Sequence, residues 1–360
     1  MKSVSILIAA RNEAANILDC LRSVQALSYA KENLQILVGN DASEDETAAI
    51  VRDFIADKPH FTLIDVQPHK SNALRGKTNV LAQLADHATG EYLFFTDADI
   101  EVPTDWIQNI LPHFKPNVGI VTGITTMKSG NLFALMQGLE WLYYLSLVRL
   151  FSLFDIPITA MGNNMAVTRK AYNAVGGYEK VGFSITEDYA LFRAILAQGF
   201  QFAQLFDYRI LTISKPIPTF AALLVQRKRW MYGAMSLPWQ QRIGVYINGL
   251  LLPILLMVGF FDLKTALILT TFAYIAATAW LAGGLSWLQK SALWIGLPIF
   301  WFYHIFTNFA MLIYFYTASK TTWKGRSYSL VVLWCFCDMV FLGCSVLCCG
   351  VLAKVASLTV

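Results

Sequence analysis

The sequence predicts an α/β domain with a mostly parallel sheet, followed by an α-helical transmembrane region. The division is visible in the distribution of charge along the 360 residues. Residues 1–242 hold 22 Lys and Arg and 22 Asp and Glu, whereas residues 243–360 hold 6 and 2. Charged residues make up 14% of the chain and hydrophobic residues 56%, where roughly 25% charge is usual for a soluble domain. A globular part of balanced charge therefore precedes a membrane part.

Within residues 1–242, short strand-like runs alternate with stretches of helical periodicity. The strand-like runs are 4–9, 34–38, 61–66 and 92–95, and the helical stretches are 17–26, 47–56 and 80–87. This alternation indicates crossover units and a mostly parallel, buried sheet. Because open α/β sheets bind ligands beyond the carboxyl ends of their strands, the polar residues that follow these runs are candidates for a binding site.

The membrane part contains four apolar segments, 243–261, 265–287, 293–316 and 328–352. Each is close to the ~20 residues that a helix needs to cross a bilayer, so we expect about three to four transmembrane helices in residues 243–360. We expect no signal peptide, because the first apolar run is too short, and therefore a multi-pass cell-membrane protein with a cytosolic globular part. Four full crossings place the basic loop 320–326 outside, against the positive-inside rule. Either one segment is re-entrant or interfacial, or the rule fails here.

Two stretches of the globular part, 131–154 and 219–236, are expected to lie at the membrane interface. The first is apolar except at Gln137, Glu140 and Arg149. A crossing there would separate the acidic motifs before it from those after it, so we expect an interfacial helix, with a buried core helix as the alternative. The second contains QRKRW, which suits a basic helix on an anionic membrane face and also a pyrophosphate clamp beside a sugar-stacking indole.

Composition and motifs exclude several classes of function. The net charge of +4 is small and gives no reason to expect nucleic-acid binding. Neither the P-loop pattern nor the glycine-rich dinucleotide fingerprint is present. Cys20 is alone in the globular part and the other five cysteines lie in the last apolar stretch, without the paired spacing of a zinc site.

The strongest candidate site residues are carboxylates that follow predicted strands. In FFTDAD, Asp97 and Asp99 directly follow a strand that reads as buried. Two carboxylates at this spacing can hold Mg²⁺ or Mn²⁺, which bridges phosphates, although Asp is also common in turns at strand ends. Asp41 follows the second strand, where an acid can accept hydrogen bonds from a ribose or base. Lys77 precedes a helix, a position that favours anions.

A second acidic pair begins a helix farther along the chain. In SITEDYALFRAILAQGF, Glu187 and Asp188 occupy the first helical turn and Thr186 is positioned to be the N-cap residue. Acids in a first turn are often only partners of the helix dipole. The functional interpretation makes one of them a general base for an acceptor hydroxyl.

These motifs, in order, resemble those of the membrane-bound family 2 glycosyltransferases, which have a GT-A catalytic fold and include cellulose synthase-like and ceramide glucosyltransferase-like enzymes. The resemblance covers about residues 1–326 and rests on SILIAARNE, VGNDASEDET, GKTNVL, TDAD, GNNMAVTRKAYNAVGGYE, TEDYALFRAILAQGF, PIPTFAALLVQRKRW and TWKGRSY. The chain departs from the family at AARNE, where a P-x-x-N-E pattern is usual. Residues 327–360 fall outside the pattern.

The resemblance implies roles for individual residues. It implies that the nucleotide-sugar, UDP-linked in the usual case, is bound by Ala10, Arg11, Glu13, Asp41, Lys77, Asp97, Gln226, Arg229 and Trp230. It implies that Asp97 and Asp99 are metal ligands for Mg²⁺ or Mn²⁺. Asp188 would be the catalytic base, with Glu187 beside it. The acceptor side would be lined by Gly162, Asn163, Asn164 and Trp230.

The expected activity is inverting, metal-dependent transfer of a sugar from a nucleotide-sugar to a membrane lipid or lipid-linked acceptor. Four spans or fewer leave little room for the polar tunnel that a secreting polymerase needs, and His304 and Asn308 suit an interhelical pair better than a conduit. A polysaccharide synthase subunit working with a protein partner is the alternative. A non-catalytic scaffold or transporter is less favoured, because the metal and base acids are all present.

Overall fold

The structure is a computed structural model that describes residues 2–71, 73–128, 130–317, 321–323 and 326–328. The strands are β1 Val4–Ala10, β2 Leu34–Asn40, β3 Phe61–Asp65, β4 Tyr92–Asp97, β5 Ile100–Glu101, β6 Val118–Thr122, β7 Thr125–Met127, β8 Met165–Thr168, β9 Gln201–Gln204, β10 Thr212–Ser214, β11 Thr321–Trp323 and β12 Arg326–Tyr328. The helices are α1 Ile17–Gln25, α2 Thr47–Ile55, α3 Gly76–His87, α4 Trp106–Ile110, α5 Leu132–Ser152, α6 Arg169–Ala174, α7 Gly177–Val181, α8 Glu187–Ala197, α9 Phe220–Met235, α10 Trp239–Phe261, α11 Leu263–Trp287 and α12 Leu297–Thr317.

The central sheet has seven strands in the order β3-β2-β1-β4-β8-β6-β9. All neighbours are parallel except β8, which is antiparallel to both β4 and β6. The predicted α/β class with a mostly parallel sheet is therefore confirmed. In the register, Ala10 is opposite Asn40 and Ala9 is opposite Asp97. The carboxyl ends of β1, β2 and β4 thus meet at one edge, at the point where the strand order reverses.

Strand β4 shows how the core holds this edge. Successive strand residues point to opposite faces of a sheet. Phe94 packs against Trp106 on one face, with ring centroids 5.0 Å apart, and Phe95 packs against Tyr178 on the other, at 6.3 Å. Because large aromatic side chains are buried on both faces, the strand reads as continuously apolar, and Asp97 at its end has a rigid support.

The stretch 131–154 forms α5, whose polar residues attach it to the sheet domain. Gln137 donates to the carbonyl of Ile217 at 3.0 Å and accepts from its N–H at 2.9 Å. Arg149 donates to the carbonyl of Gln204 at 2.9 Å. Other faces of α5 pack against α11 and α12. The helix therefore lies between the sheet domain and the C-terminal helices.

Three helices are long and apolar enough to cross a membrane among the residues that the structure describes: Trp239–Phe261, Leu263–Trp287 and Ser291–Thr317, the last including a 3₁₀ turn before α12. The predicted fourth segment, 328–352, lies outside the described residues except for Tyr328. The three helices differ in burial. In the apolar part of each helix, 50% of the third is buried inside the protein, compared with 6% of the first and 17% of the second.

The two ends of α12 contact α5 and α9. At its start, Gly296 packs so closely on α5 that an added Cβ would lie 2.5 Å from Leu139 Cδ1. At its end, the ring of Phe315 lies 5.2 Å from that of Tyr232 of α9, and β11 lies beside the same helix. The helix therefore packs on α5 and α9 as well as on α10 and α11.

Candidate active site

The ends of β1 and β2 are joined by hydrogen bonds that shape the first part of the site. Arg11 donates to the carbonyl of Asp41 at 2.6 Å, and the N–H of Asp41 donates to the carbonyl of Ala10 at 2.9 Å. The buried Glu13 accepts from the side chain of Asn16 at 2.6 Å. The structure thus brings together Ala10, Arg11, Glu13 and Asp41, the four residues expected near the nucleoside.

Lys77 lies between the two acidic motifs. Its Nζ is 2.5 Å from Asp97 Oδ1 and 2.7 Å from Glu187 Oε1. Burial of the ammonium group lowers its pKa, but the charges of Asp97, Glu187 and Asp188 outweigh burial, so the net pKa of Lys77 is raised. The amine is therefore charged at neutral pH. It links the end of β4 to the start of α8, two elements that are distant in sequence.

Cys20 is buried beside the acidic residues at the end of β4. Its Sγ donates to the carbonyl of Asp97 at 3.5 Å. Burial raises the pKa of this thiol, and the charges of Asp99, Asp97 and Glu13 raise it further. The shift locates three predicted site acids around one buried sulfur atom and makes the thiol inert.

Asp188 is a half-buried residue whose carboxyl group is held in position by backbone donors. Its Oδ2 accepts from the N–H of Gly162 at 2.9 Å, and its Oδ1 accepts from the N–H of Tyr189 at 2.8 Å. Burial and the neighbouring Glu187 raise the pKa of Asp188 to about 6, against the opposing effect of Lys77 and the two N–H groups. A carboxyl group with a pKa near neutrality suits proton transfer.

The start of α8 differs from the expectation in one detail. Thr186 occupies the N-cap position, but its side chain makes no capping hydrogen bond. The threonine side chain instead packs against Gly233 of α9, where an added Cβ would lie 2.8 Å from Thr186 Cγ2. Thr186 is therefore the N-cap residue by position, as predicted, and its side chain contributes to the contact between α8 and α9.

Three of the four residues expected on the acceptor side are consecutive in the sequence, and their side chains have different surroundings in the structure. Gly162 faces Asp188 so closely that an added Cβ would lie 2.9 Å from the Cβ and Oδ2 atoms of Asp188. Asn163 accepts from Thr125 Oγ1 at 2.9 Å inside the domain. Asn164 is fully buried; it accepts from Trp106 Nε1 at 2.9 Å and donates to two backbone carbonyls. Only Gly162 adjoins the candidate base, and both asparagine side chains bind within the fold.

The QRKRW sequence lies on α9, whose N-cap Thr219 accepts from the N–H of Ala222 at 3.2 Å. Trp230 packs edge-to-face on Trp141 of α5, with centroids 5.2 Å apart. Gln226 Oε1 is buried and has no hydrogen-bond partner among the described residues. Through the contact of Gly233 with Thr186, α9 brings these residues to the start of α8.

Sequence reasoning missed the pairing of Glu140 with Arg227, whose Nη2 is 2.7 Å from Glu140 Oε2. The sequence did single out Glu140, because it is the only acidic residue in the apolar stretch 131–154. Its partner could not be identified from spacing, because the two residues are 87 positions apart.

The candidate metal ligands are two carboxylates at the end of β4. The described residues contain no group of three or more His, Cys, Asp or Glu side chains that could hold a metal ion. Mg²⁺ binds in many phosphate-transfer sites through one or two carboxylates together with substrate phosphates. Asp97 and Asp99 at the strand end fit this mode, and the Lys77 ammonium beside Asp97 is a cation held at the same carboxylate.

The fold and the arrangement of the site define a glycosyltransferase of the GT-A type, the class that the motifs predicted. The chain belongs to glycosyl transferase family 21, whose sequence pattern matches residues 2–332. Membership of an enzyme family disfavours the interpretation as a non-catalytic scaffold or transporter.

Similar proteins support the same class. The chain is 28% identical over 243 residues to the poly-β-1,6-N-acetyl-D-glucosamine synthase of Staphylococcus epidermidis, with 65% of this chain and 55% of the relative covered. It is 26% identical over 238 residues to the synthase of the same name in Staphylococcus aureus strain COL, with the same coverage. The chain thus spans about half the length of these relatives.

A solved structure shares the fold. It is the mannosyltransferase PcManGT of Pyrobaculum calidifontis in complex with GDP-Man and Mn²⁺. The TM-score is 0.53 at 19% identity, and the match covers 83% of this chain and 86% of that one. At this identity the likeness supports the fold alone.

Proposed function

We propose that the protein transfers a sugar, with inversion, from a nucleotide-sugar to a membrane lipid or lipid-linked acceptor. The observation that carries the proposal is the geometry of Asp188, a half-buried residue with a pKa of about 6 whose carboxyl group accepts from the N–H of Gly162 and lies near Lys77. We assign Asp188 as the general base, which takes the proton of the acceptor hydroxyl. The hydroxyl oxygen then attacks the anomeric carbon opposite the leaving diphosphate.

Charge on the leaving diphosphate requires positive partners. We assign Lys77 and Arg229 to this role, and Arg11, Glu13, Asp41 and the backbone of Ala10 to the nucleoside. Glu187 holds Lys77 in place. Mg²⁺ or Mn²⁺, held by Asp97 and Asp99, would neutralise phosphate charge when bound. The Mn²⁺ named with GDP-Man in the PcManGT structure supports this assignment by analogy of fold.

The acceptor class follows from the membrane helices. Their apolar side chains, rather than a polar tunnel, dominate α10 to α12, and the polar pair His304 and Asn308 is used internally: Asn308 accepts from Tyr144 at 2.7 Å and His304 lies 3.2 Å from Asn248 Oδ1. This favours a lipid acceptor that approaches Gly162 and Trp230 from the membrane. The names of the staphylococcal relatives support the second candidate, extension of a polysaccharide with a partner.

A panel of labelled nucleotide-sugars tests the proposal. Membranes containing the protein are incubated with each donor, with Mn²⁺, with Mg²⁺ or with EDTA. We expect label in the organic phase only when a divalent ion is present. Label in insoluble or high-mass polymer would reject the lipid acceptor in favour of polysaccharide synthesis, and equal transfer in EDTA would reject the metal. Membranes containing the Asp97→Asn/Asp99→Asn variant provide the background.

We propose further that the catalytic domain is cytosolic and that α10 and α11 alone form a crossing hairpin among the described helices. Supporting this, both ends of α12 contact the catalytic domain and half of its apolar window is buried. With α12 along the domain, the basic loop 320–326 returns to the cytosolic side. The conflict with the positive-inside rule then disappears.

Cysteine labelling in sealed vesicles tests this topology. Single cysteines are introduced as Thr322→Cys beside α9, Glu44→Cys in the catalytic domain and Asp262→Cys in the α10–α11 turn, after replacing the five cysteines of residues 335–349 by serine. We expect an impermeant maleimide to label positions 322 and 44 from one side and position 262 from the other. Labelling of 322 together with 262 would show that α12 crosses the bilayer.

A further inference from the structure

Two charged side chains are buried where α5, α9 and α12 meet. Glu140 of α5 is 3% exposed, and its Oε2 lies 2.7 Å from Arg227 Nη2 of α9. The same oxygen accepts a hydrogen bond from Tyr303 of α12 at 3.3 Å. One carboxylate thus connects three helices that come from separate parts of the sequence.

Such a pair costs free energy to bury, and a known use of buried charged or polar groups is to fix one packing arrangement of helices among several. Removing two charges from water costs several kcal/mol per ion, which attraction and hydrogen bonds offset only in good geometry. Burial raises the pKa of Glu140, and Arg227 opposes that shift. Around the pair α5 is mostly apolar, and hydrophobic contacts are not directional. The ion pair therefore restricts the rotation and register of α9 against α5, which apolar contacts alone would leave adjustable.

The pair acts directly on Trp230. The Arg227 guanidinium lies 4.6 Å from the centroid of the Trp230 ring, and Trp141, the residue after Glu140, contacts the same ring edge-to-face. Adjacent residues of α5 therefore hold Arg227 and Trp230 at once. One turn farther along α9, Gly233 packs on Thr186, which precedes the acidic pair of α8. A rotation of α9 would move Trp230 and disturb this contact together.

We propose that Glu140, Arg227 and Tyr303 form a positioning clamp that fixes Trp230 and α9 relative to Asp188. Tyr303 belongs to α12, so the clamp makes the geometry of the sugar-transfer site depend on the packing of a membrane-side helix. The inference rests on the proposed function in one respect, the location of Trp230 at the acceptor side. None of the three clamp residues is assigned a contact with substrate.

The test compares Glu140→Gln, Arg227→Met and the double variant with the wild type, using Arg149→Met as the matched control. Arg149 is another polar anchor of α5, but it binds Gln204 and does not contact α9. We expect Glu140→Gln to lower kcat by roughly 10-fold to 100-fold, the range that a misplacement of about 1 Å can cause. We also expect it to raise the acceptor KM, because Trp230 on α9 is the residue that the pair holds. The control is expected to keep kcat near that of the wild type.

The double variant separates positioning from fold stability. Arg227→Met alone leaves a buried carboxylate without its cation, so adding Glu140→Gln is expected to recover part of the lost kcat. Losses that simply multiply, or a Glu140→Gln protein with wild-type kcat and acceptor KM and only a lower Tm, would overturn the clamp. If Glu140→Gln does not fold, Tyr303→Phe is used, with a kcat loss of about threefold expected and an unchanged kcat overturning the clamp.

A spectroscopic readout distinguishes failure of the clamp from failure of the proposed function. The fluorescence of Trp230 is obtained as the difference between each protein and its Trp230→Phe counterpart. We expect Glu140→Gln to increase acrylamide quenching of this difference signal, whichever acceptor the enzyme uses. An unchanged Trp230 signal overturns the clamp, whereas polymer in place of glycolipid overturns only the acceptor class.

Discussion

Replacing Asp188 by Asn is expected to abolish sugar transfer while UDP binding is retained. A positioned general base contributes about 10²- to 10⁴-fold to a rate, and asparagine cannot accept the acceptor proton. The substitution preserves side-chain shape and can keep only one of the two hydrogen bonds from Gly162 and Tyr189, because Asn has a single acceptor oxygen. The nucleoside site at β1 and β2 is untouched. The measurements are initial transfer rate with saturating donor and UDP affinity by calorimetry.

A second aspartate provides the control for Asp188→Asn. The pKa of Asp86 is also raised, by burial and by Glu179, but Asp86 lies near the end of α3 away from Asp97 and Asp188. Asp86→Asn is expected to transfer sugar at close to the wild-type rate. Turnover by Asp188→Asn within a few fold of wild type would show that another group is the base. Loss of UDP binding in that variant would instead indicate a damaged fold.

The strands that carry the site were easier to predict from the sequence than the contacts between its side chains. β1 to β4 and the acids that follow them were predictable, because strand period and strand-end position follow from local pattern. The bridge from Asp97 through Lys77 to Glu187 was not, because it depends on how α3 and α8 meet above the sheet. A motif likewise cannot indicate whether a polar residue faces a ligand or the core.

Asn164 and α12 show the same limit in two forms. Asn164 lies in a motif that resembles an acceptor-side sequence, yet Trp106 and two carbonyl groups use its hydrogen-bonding capacity inside the domain. The length and hydropathy of α12 suit a membrane crossing, yet both of its ends pack on the catalytic domain. Length and hydropathy are sums over a segment, whereas burial depends on residues that the rest of the chain supplies.

Replacing Lys77 by Met is expected to move the acidic limb of the pH profile to higher pH. The wild-type base works when Asp188 is deprotonated, so kcat/KM should rise about tenfold per pH unit below about 6 and level off above it. Because the Lys77 charge lowers the pKa of Asp188, removing that charge leaves Asp188 beside Glu187 and Asp97 without the cation between them. The pKa of Asp188 should then rise, and the acidic limb should move to higher pH.

The activity of Lys77→Met at neutral pH is expected to fall by roughly 100-fold, as for loss of one group that stabilises developing charge. Lys77→Arg is the matched control, because it keeps a positive charge near both carboxylates while changing its shape. The arginine variant should retain the wild-type pH limb even if its rate is lower. A methionine variant with an unshifted limb would mean that Lys77 does not govern the ionisation of Asp188. A shifted limb with a rate that recovers at high pH would mean that Lys77 acts mainly on the base, because a cation needed by the diphosphate cannot be replaced by raising the pH.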